Sequence, residues 1–262
     1  MKNQRAPHPF LQNDDILMEY QPTILYKGIA TMQMDPLYLL FSVPALLLSM
    51  LASFFVKSTF NKYAKVASSS GLTGAQAADK MLKASGVNDV KIEHVNGFLS
   101  DHYDPSVNTL RLSDAVYASD SLSALGVACH EAGHALQKAN NYAPMGLRTL
   151  LVLPANLGSK FSYVLILGGA AMQQPFLVKA GLILFTAAVA FSVVTLPVEW
   201  DASARAKKAL VTAGILQPSE REHAGSVLNA AFMTYIAGAV SSLATLLYFL
   251  VRTGALGGRR RD

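Results

Sequence analysis

Three stretches of this chain are nearly free of charge and long enough to cross a bilayer, which leaves few architectures open. Residues 36–56, from Pro36 to Val56, and residues 227–251, from Val227 to Val251, contain no Asp, Glu, Lys or Arg. Residues 176–198 are interrupted only by Lys179 near one end. About 20 apolar residues span the hydrocarbon of a membrane, and each of these segments reaches that length. Residues 149–172 form a fourth, weaker candidate, broken by Pro154, Asn156, Gly158 and Lys160. The first segment is not a cleaved signal peptide. It starts late, is too long for that role and is followed by Lys57, Lys62 and Lys65 rather than small residues. With 52% hydrophobic and 15% charged residues, the chain reads as a multi-pass, mainly α membrane protein.

Between the first and the weaker segment lies a polar region, residues 57–146. Thr73 with Gln76 predicts a capping box, and Ala77, Met81 and Leu82 carry a helix to a stop at Gly86. Val90 to Val95 alternates apolar and polar residues, as a half-buried strand does. Further strand-like pieces at Gly97–Ser100 and Thr109–Ser113 flank the turn-forming run from Asp104 to Asn108. Residues 1–35 form a polar N-terminal extension, and residues 252–262 a short basic tail.

The polar region ends in His130-Glu131-Ala132-Gly133-His134. On a helix, residues four apart share a face, so both imidazoles can reach one metal ion. Glu131 is then placed to take a proton from a water at that metal. The helix itself, about residues 120–139, is indicated by Ser119, Asp120 and Ser121 as candidate N-caps. Leu122, Leu125, Cys129 and Leu136 recur along one side, and Asn140-Asn141 and Pro144 end it. Gly126, Ala128, Ala132, Gly133 and Ala135 keep it slim, so other backbone can come close. Cys129, the only cysteine, reads as a small buried side chain rather than a ligand.

A catalytic zinc has three protein ligands and one open position. After the 176–198 segment, Glu199 and Asp201 both qualify as the third. Two residues apart on a helix they face different ways, so only one can serve. Glu199 shares its face with Ala202, Ser203 and Ala206, which let helices approach, whereas Asp201 shares its face with Arg205 and Lys208. Glu199 is the preferred ligand, within a ligand helix and loop at residues 199–226. His130, His134 and Glu199 must then lie on one side of the bilayer, so an even number of spans separates them. Residues 149–172 therefore cross, giving four spans. Asn156 and Lys160 fall at membrane depth, where polar groups face protein or a wet cavity. Lysines 57, 62 and 65 with Arg205, Lys207 and Lys208 place the metal domain in the cytoplasm by the positive-inside rule; arginines 259–261 count the other way.

Several runs carry a resemblance. They are S-S-S-G-L-T-G-A from Ser68, L-S-D-H-Y-D-P from Leu99, T-L-R-L-S from Thr109 and A-C-H-E-A-G-H-A-L-Q from Ala128. Y-A-P from Tyr142, T-L-P-V-E-W-D-A-S from Thr195 and V-L-N-A-A from Val227 complete the set. In this order they resemble the YugP-type neutral zinc metallopeptidases, membrane-embedded bacterial proteins of the zincin group, from about Met34 to Arg252. The resemblance implies a zincin-like metal helix with a small β element between spans one and two. It implies Zn2+ held by His130, His134 and Glu199, with Glu131 as general base, in a bacterial plasma membrane. Residues 1–33 have no counterpart in it, and Met32 or Met34 matches the usual start. Glu199-Trp200-Asp201-Ala202 also resembles the third-ligand run of the HtpX and CAAX prenyl protease types, membrane gluzincins. Ser203 departs from that run, where those proteins carry an aspartate that orients the ligand histidines; Asp114 or a carbonyl is the substitute to look for. The same comparison implies an edge strand beside the metal helix that holds extended substrate, with Thr109, Leu110 and Arg111 as the candidate.

Three residues are candidates to stabilise the oxyanion of peptide hydrolysis: Tyr235 in the last span, His223 just before it, and His102. The net charge of +5 comes mainly from span ends, where lipid headgroups account for it, so nucleic acid is not an expected partner. The expected partners are a membrane-associated polypeptide and the bilayer. Oligomeric state and cleavage specificity leave no trace in the sequence. The alternatives are a non-catalytic zinc-binding membrane scaffold and an intramembrane site-2-type protease. The latter buries its motif inside a span, whereas this motif is flanked by Asp120, Lys138 and Asn140.

Overall fold

The computed structural model describes residues 35–97 and 100–254. Most of the N-terminal extension, Phe98 and Leu99, and the tail with arginines 259–261 lie outside the described residues. The elements in chain order are α1 (Pro36–Tyr63), α2 (Gly74–Ala84), β1 (Lys91–Val95), β2 (His102–Asp104), β3 (Thr109–Ser113) and α3 (Asp114–Tyr117). They continue with α4 (Leu122–Ala139), α5 (Ala143–Ala171), α6 (Pro175–Thr212) and α7 (Arg221–Arg252). The protein is a mainly α membrane protein in which α1, α5, α6 and α7 are long and apolar enough to span.

Three of the four long helices, α1, α5 and α6, begin where the sequence supplies a start. Pro36 follows Asp35, whose carboxylate accepts from the Leu37 amide at 3.0 Å. Pro144 and Pro175 open α5 and α6. Pro154 and Pro197 sit inside these helices without ending them, because neighbouring helices support the backbone that proline disrupts. The spans exceed their apolar segments: α5 begins at Ala143, α7 at Arg221, and α6 runs through Glu199 to Thr212 without a break. At 1.5 Å per residue, α6 is roughly 57 Å long against a hydrocarbon layer of about 30 Å. The helix therefore outreaches the hydrocarbon layer, and its C-terminal part carries Glu199 to the polar domain.

Small residues set the approach of α5 to α6. A Cβ at Gly158 would lie 2.2 Å from the Leu184 carbonyl oxygen, and one at Gly181 would lie 2.9 Å from that of Ser162. Such close crossing is how helices associate where no hydrophobic drive exists. At the end remote from the polar domain, Asp35 ties α1 to α7 through Tyr248 (3.2 Å) and Arg252 (3.4 Å). Asn156 and Lys160 lie on an exposed side of α5, away from the face that packs on α6.

The polar domain packs α2, the sheet and α4 around fully buried Met81, Leu110, Leu112, Val116 and Leu125. Thr73 and Gln76 form the capping box of α2. The sheet has the order β1-β3-β2, with β1 parallel and β2 antiparallel to β3. This differs from the expected strand layout. β3, which contains Thr109, Leu110 and Arg111, is the central strand with both edges paired. The stretch at 97–100 is not a strand where described, and the third strand is His102–Asp104, inside the run that reads as loop and turn. Asp101 accepts from the Ser113 amide (2.7 Å) and hydroxyl (2.9 Å), which locks the start of β2 onto β3.

Candidate metal centre

Ser121 caps α4 by accepting from the Ala124 amide at 3.2 Å, and Leu122, Leu125, Cys129 and Leu136 anchor the helix in the core. Its slim side meets α6. A Cβ on Gly133 would fall 2.7 Å from the Ala202 carbonyl oxygen, so only glycine permits this crossing. The close approach brings His130, His134 and Glu199 together, with their ligand atoms all within 4.8 Å of one another.

The donor set fits zinc. Two ligands at tetrahedral zinc distances lie roughly 3.4 Å apart. Glu199 Oε2 is 3.1 Å from His130 Nε2 and 3.5 Å from His134 Nε2. The opposite ring nitrogens are engaged elsewhere. His130 Nδ1 lies 3.1 Å from Ser203 Oγ, and His134 Nδ1 lies 2.9 Å from Gln137 Oε1. An Nδ1–H donated to each oxygen leaves the Nε2 lone pair for a metal, the usual arrangement of ligand histidines. Gln137 is itself fixed, because its amide donates to the Val198 carbonyl (2.7 Å) and to Asp201 Oδ2 (2.9 Å). Asp201 therefore acts behind the centre: Arg205 holds it at 2.6 Å, and Gln137 connects it to His134. Asp114 takes no part, since its carboxylate holds His94 at 2.6 Å and the Gly97 amide.

Glu131 lies beside the ligands, and its Oε2 accepts from the Tyr103 amide at 3.1 Å. Burial raises its proton affinity above that of an ordinary glutamate. His130 and His134 oppose the rise, and Glu199 and Asp101 reinforce it. The Tyr103 contact also defines the edge strand. Because that N–H points at Glu131, Tyr103↔Leu110 is a non-hydrogen-bonded pair and both Tyr103 backbone groups face away from β3. β2, not β3, is thus the edge beside the metal helix, and Thr109, Leu110 and Arg111 have no free edge to offer.

A cavity of about 570 Å³ opens over these groups, walled by His102, Tyr103, Glu131, Arg148, Val152 and Tyr235 among others. Tyr235 and His102 thus face the same space as Glu131, and Tyr235 approaches Glu199. His223 does not reach it, because the ring stacks on Tyr63 at 5.2 Å. Arg148, from the second turn of α5, is a site residue that no sequence motif marks. Its Nη2 is 3.8 Å from Glu199 Oε1, while its Nε is buried without a hydrogen-bond partner. The signal available was a lone arginine at the head of a span, which reads first as an interfacial anchor.

Comparisons with known proteins agree with this chemistry. The family described as "putative neutral zinc metallopeptidase" matches residues 38–254. A relative in Bacillus subtilis (strain 168), the "Putative membrane protease YugP", is 45% identical over 215 residues, which cover 82% of this chain and 96% of the relative. No solved structure matches the chain.

Proposed function

The chain belongs to this family of zinc metallopeptidases, and from that premise we propose that it is a membrane-embedded endopeptidase of the gluzincin type. The observation that carries the reading is the convergence of His130 Nε2, His134 Nε2 and Glu199 Oε2, with Glu131 beside them at the floor of an open cavity. A structural zinc has four protein ligands; here three converge, and the cavity leaves room for water and substrate. This weighs against a non-catalytic scaffold. An intramembrane site-2-type reading is disfavoured because α4 packs within the polar domain.

His130, His134 and Glu199 would hold zinc, which would supply Lewis acidity for polarising the scissile carbonyl and activating water. Glu131 accepts the proton of the attacking water and passes it to the leaving amine. The Tyr103 amide orients the Glu131 carboxylate. The outward backbone of β2 receives an extended substrate by strand addition. Tyr235 donates its hydroxyl to the carbonyl oxygen as negative charge develops, with His102 as the second candidate on that wall.

The polar domain lies on the cytoplasmic side of a bacterial plasma membrane in this reading, with a membrane-associated polypeptide as substrate. Trp200, next to Glu199, is exposed and packs on Phe232 at 5.2 Å. Tryptophan settles at the headgroup level, so the centre sits where the bilayer meets water.

The deciding experiment measures zinc content and peptide hydrolysis of the detergent-purified protein and of Glu131→Gln, His134→Ala and Glu199→Ala. Glu131→Gln should keep zinc and lose activity, and the other two should lose both. Undiminished hydrolysis by Glu131→Gln would refute the mechanism.

A further inference from the structure

α5 has three distinct faces, and one of them is unaccounted for by a four-helix bundle. Ala155, Gly158, Ser162 and Ile166 are buried, and Gly158 and Ser162 lie against α6. Leu150, Leu157, Phe161 and Val164 are exposed and apolar, an ordinary lipid face at helical spacing, and exposed Leu153 at its edge also reaches the metal cavity. Between them runs Val152, Asn156, Ser159, Lys160 and Tyr163, all exposed, and four of the five are polar or amphipathic. Polar groups do not face hydrocarbon without cost; at membrane depth they line protein or water.

The two ends of this third face fix what it looks at. At one end Val152 walls the metal cavity together with Arg148 and Thr149. At the other end the Tyr163 ring meets Phe249 of α7 at 5.7 Å and Phe185 of α6 at 5.7 Å. Tyr163 lies eleven residues from Val152, just over three full turns, so both point the same way. The face therefore looks toward α7: the two helices touch at Tyr163–Phe249 and, nearer the metal centre, are separated by the cavity that Val152 and Tyr235 both wall. Across the gap, Tyr235 walls the same cavity. One turn below it Gly238 is exposed, and a Cβ there would meet no atom within 4 Å.

We infer that the groove between α5 and α7 admits the substrate from within the bilayer, and that the substrate class is a membrane-inserted polypeptide whose chain unwinds along the groove to reach β2. This rests on the peptidase reading above. An extended chain cannot leave its amides unpaired in lipid, and the polar strip from Asn156 to Tyr163 provides partners where an apolar wall would not. Continuity with the cavity selects this occupant, since Val152 belongs to both. A lipid molecule or a second copy of the chain has no reason to share a wall with Glu131.

The test uses the zinc-loaded protein in proteoliposomes with two labelled probes: a polar tail peptide that the wild type cleaves, and the same tail fused to a single apolar span. Asn156→Phe and Gly238→Phe narrow the groove from its two walls at exposed positions, and Leu150→Phe alters only the lipid face. Either groove variant should lower the ratio of kcat/KM for the fused probe over the free tail by at least about tenfold. Leu150→Phe should leave that ratio unchanged. An unchanged ratio in both groove variants overturns the inference and returns the groove to a lipid or a second copy. So does a wild type that cleaves the tail but not its fused form. A zinc-loaded wild type that hydrolyses no peptide at all fails the peptidase reading instead, and this inference falls with it.

Discussion

Arg148 directs its guanidinium at the Glu199 oxygen that the two histidines leave alone: Nη2 lies 3.8 Å from Oε1, while Oε2 faces both imidazoles. The Nε on the same edge of the guanidinium is buried and has no hydrogen-bond partner. That edge is suited to a carboxylate, which it can hold by two parallel bonds. The arginine thus steadies the outer oxygen and leaves the inner one for the metal.

Arg148→Ala should accordingly weaken zinc binding by about 10- to 100-fold, the usual effect of losing a group that orients a ligand. Competition with a chelator of known affinity measures this without reference to hydrolysis. Arg148→Lys should recover part of the loss, because it restores charge but not the planar fork. A rise in KM at unaltered zinc affinity would instead put the guanidinium on the substrate.

Ser203 is the position at which the chain departs from the related third-ligand run. Its hydroxyl supports the His130 ring at 3.1 Å. A serine is a weaker acceptor than a carboxylate, so Ser203→Asp should tighten zinc binding and Ser203→Ala should loosen it. Equal zinc affinity in all three proteins would show that the hydroxyl does not orient the ring.

The steric fit of α4 against α6 gives a third expectation. Gly133→Ala would place its methyl 2.7 Å from the Ala202 carbonyl oxygen. Overpacking of this kind costs about 1–3 kcal/mol. Because the helix that must move carries Glu199, zinc should be lost along with stability. Zinc content and thermal unfolding of the purified variant read the two effects separately, and retention of both would mean the helices part without disturbing the ligands.

Much of this centre is legible in the sequence because its parts are local. The i, i+4 spacing of His130 and His134 defines a face, and the small residues around Gly133 announce a close neighbour. The choice between Glu199 and Asp201 follows from helix rotation. What escapes is whatever depends on helices meeting in space. Gln137 links His134 to Asp201 across sixty-odd residues, and nothing in its own neighbourhood marks it. The order of the sheet is also hidden. The clearest alternation, Val90–Val95, becomes the edge strand β1, Thr109–Ser113 becomes the central strand, and the other edge, β2, has three residues and reads as the start of a turn. Polar Asn156 and Lys160 weaken the span signal for the same reason that they are informative in the fold.

Asp104 gives a pH dependence whose sign can be worked out. The Ser106 hydroxyl donates to its carboxylate at 2.6 Å, Arg111 at 3.0 Å and the Ser106 amide at 3.0 Å. Together they hold its pKa down at about 2, against about 3.9 for an aspartate in an unfolded chain. A depressed folded pKa contributes stability that is fully present above the unfolded value and is lost as pH falls through the folded one. The hold of β2 on its turn and on β3 should therefore weaken between about pH 4 and pH 2. Asp104→Asn, which has no carboxylate to protonate, should lack this part of the acid transition. Hydrogen exchange of the Tyr103 amide reads it where it matters, since that amide holds Glu131. Identical acid profiles for the wild type and Asp104→Asn would remove Asp104 from the account of how the edge strand is kept in place.

Orientation in the membrane is open to a direct measurement because the only cysteine, Cys129, is fully buried. A cysteine introduced at exposed Lys65 should resist a membrane-impermeant maleimide in intact cells and react once the membrane is opened. Thr253, beyond the last turn of α7 and near the Asp35–Arg252 pair, should behave in the opposite way, because four spans return the chain to its starting side. Labelling at position 65 from outside the cell would invert the molecule and put the metal centre outside. Labelling of both positions from the same side would break the four-span topology itself. It would remove the parity by which His130, His134 and Glu199 share one face of the bilayer.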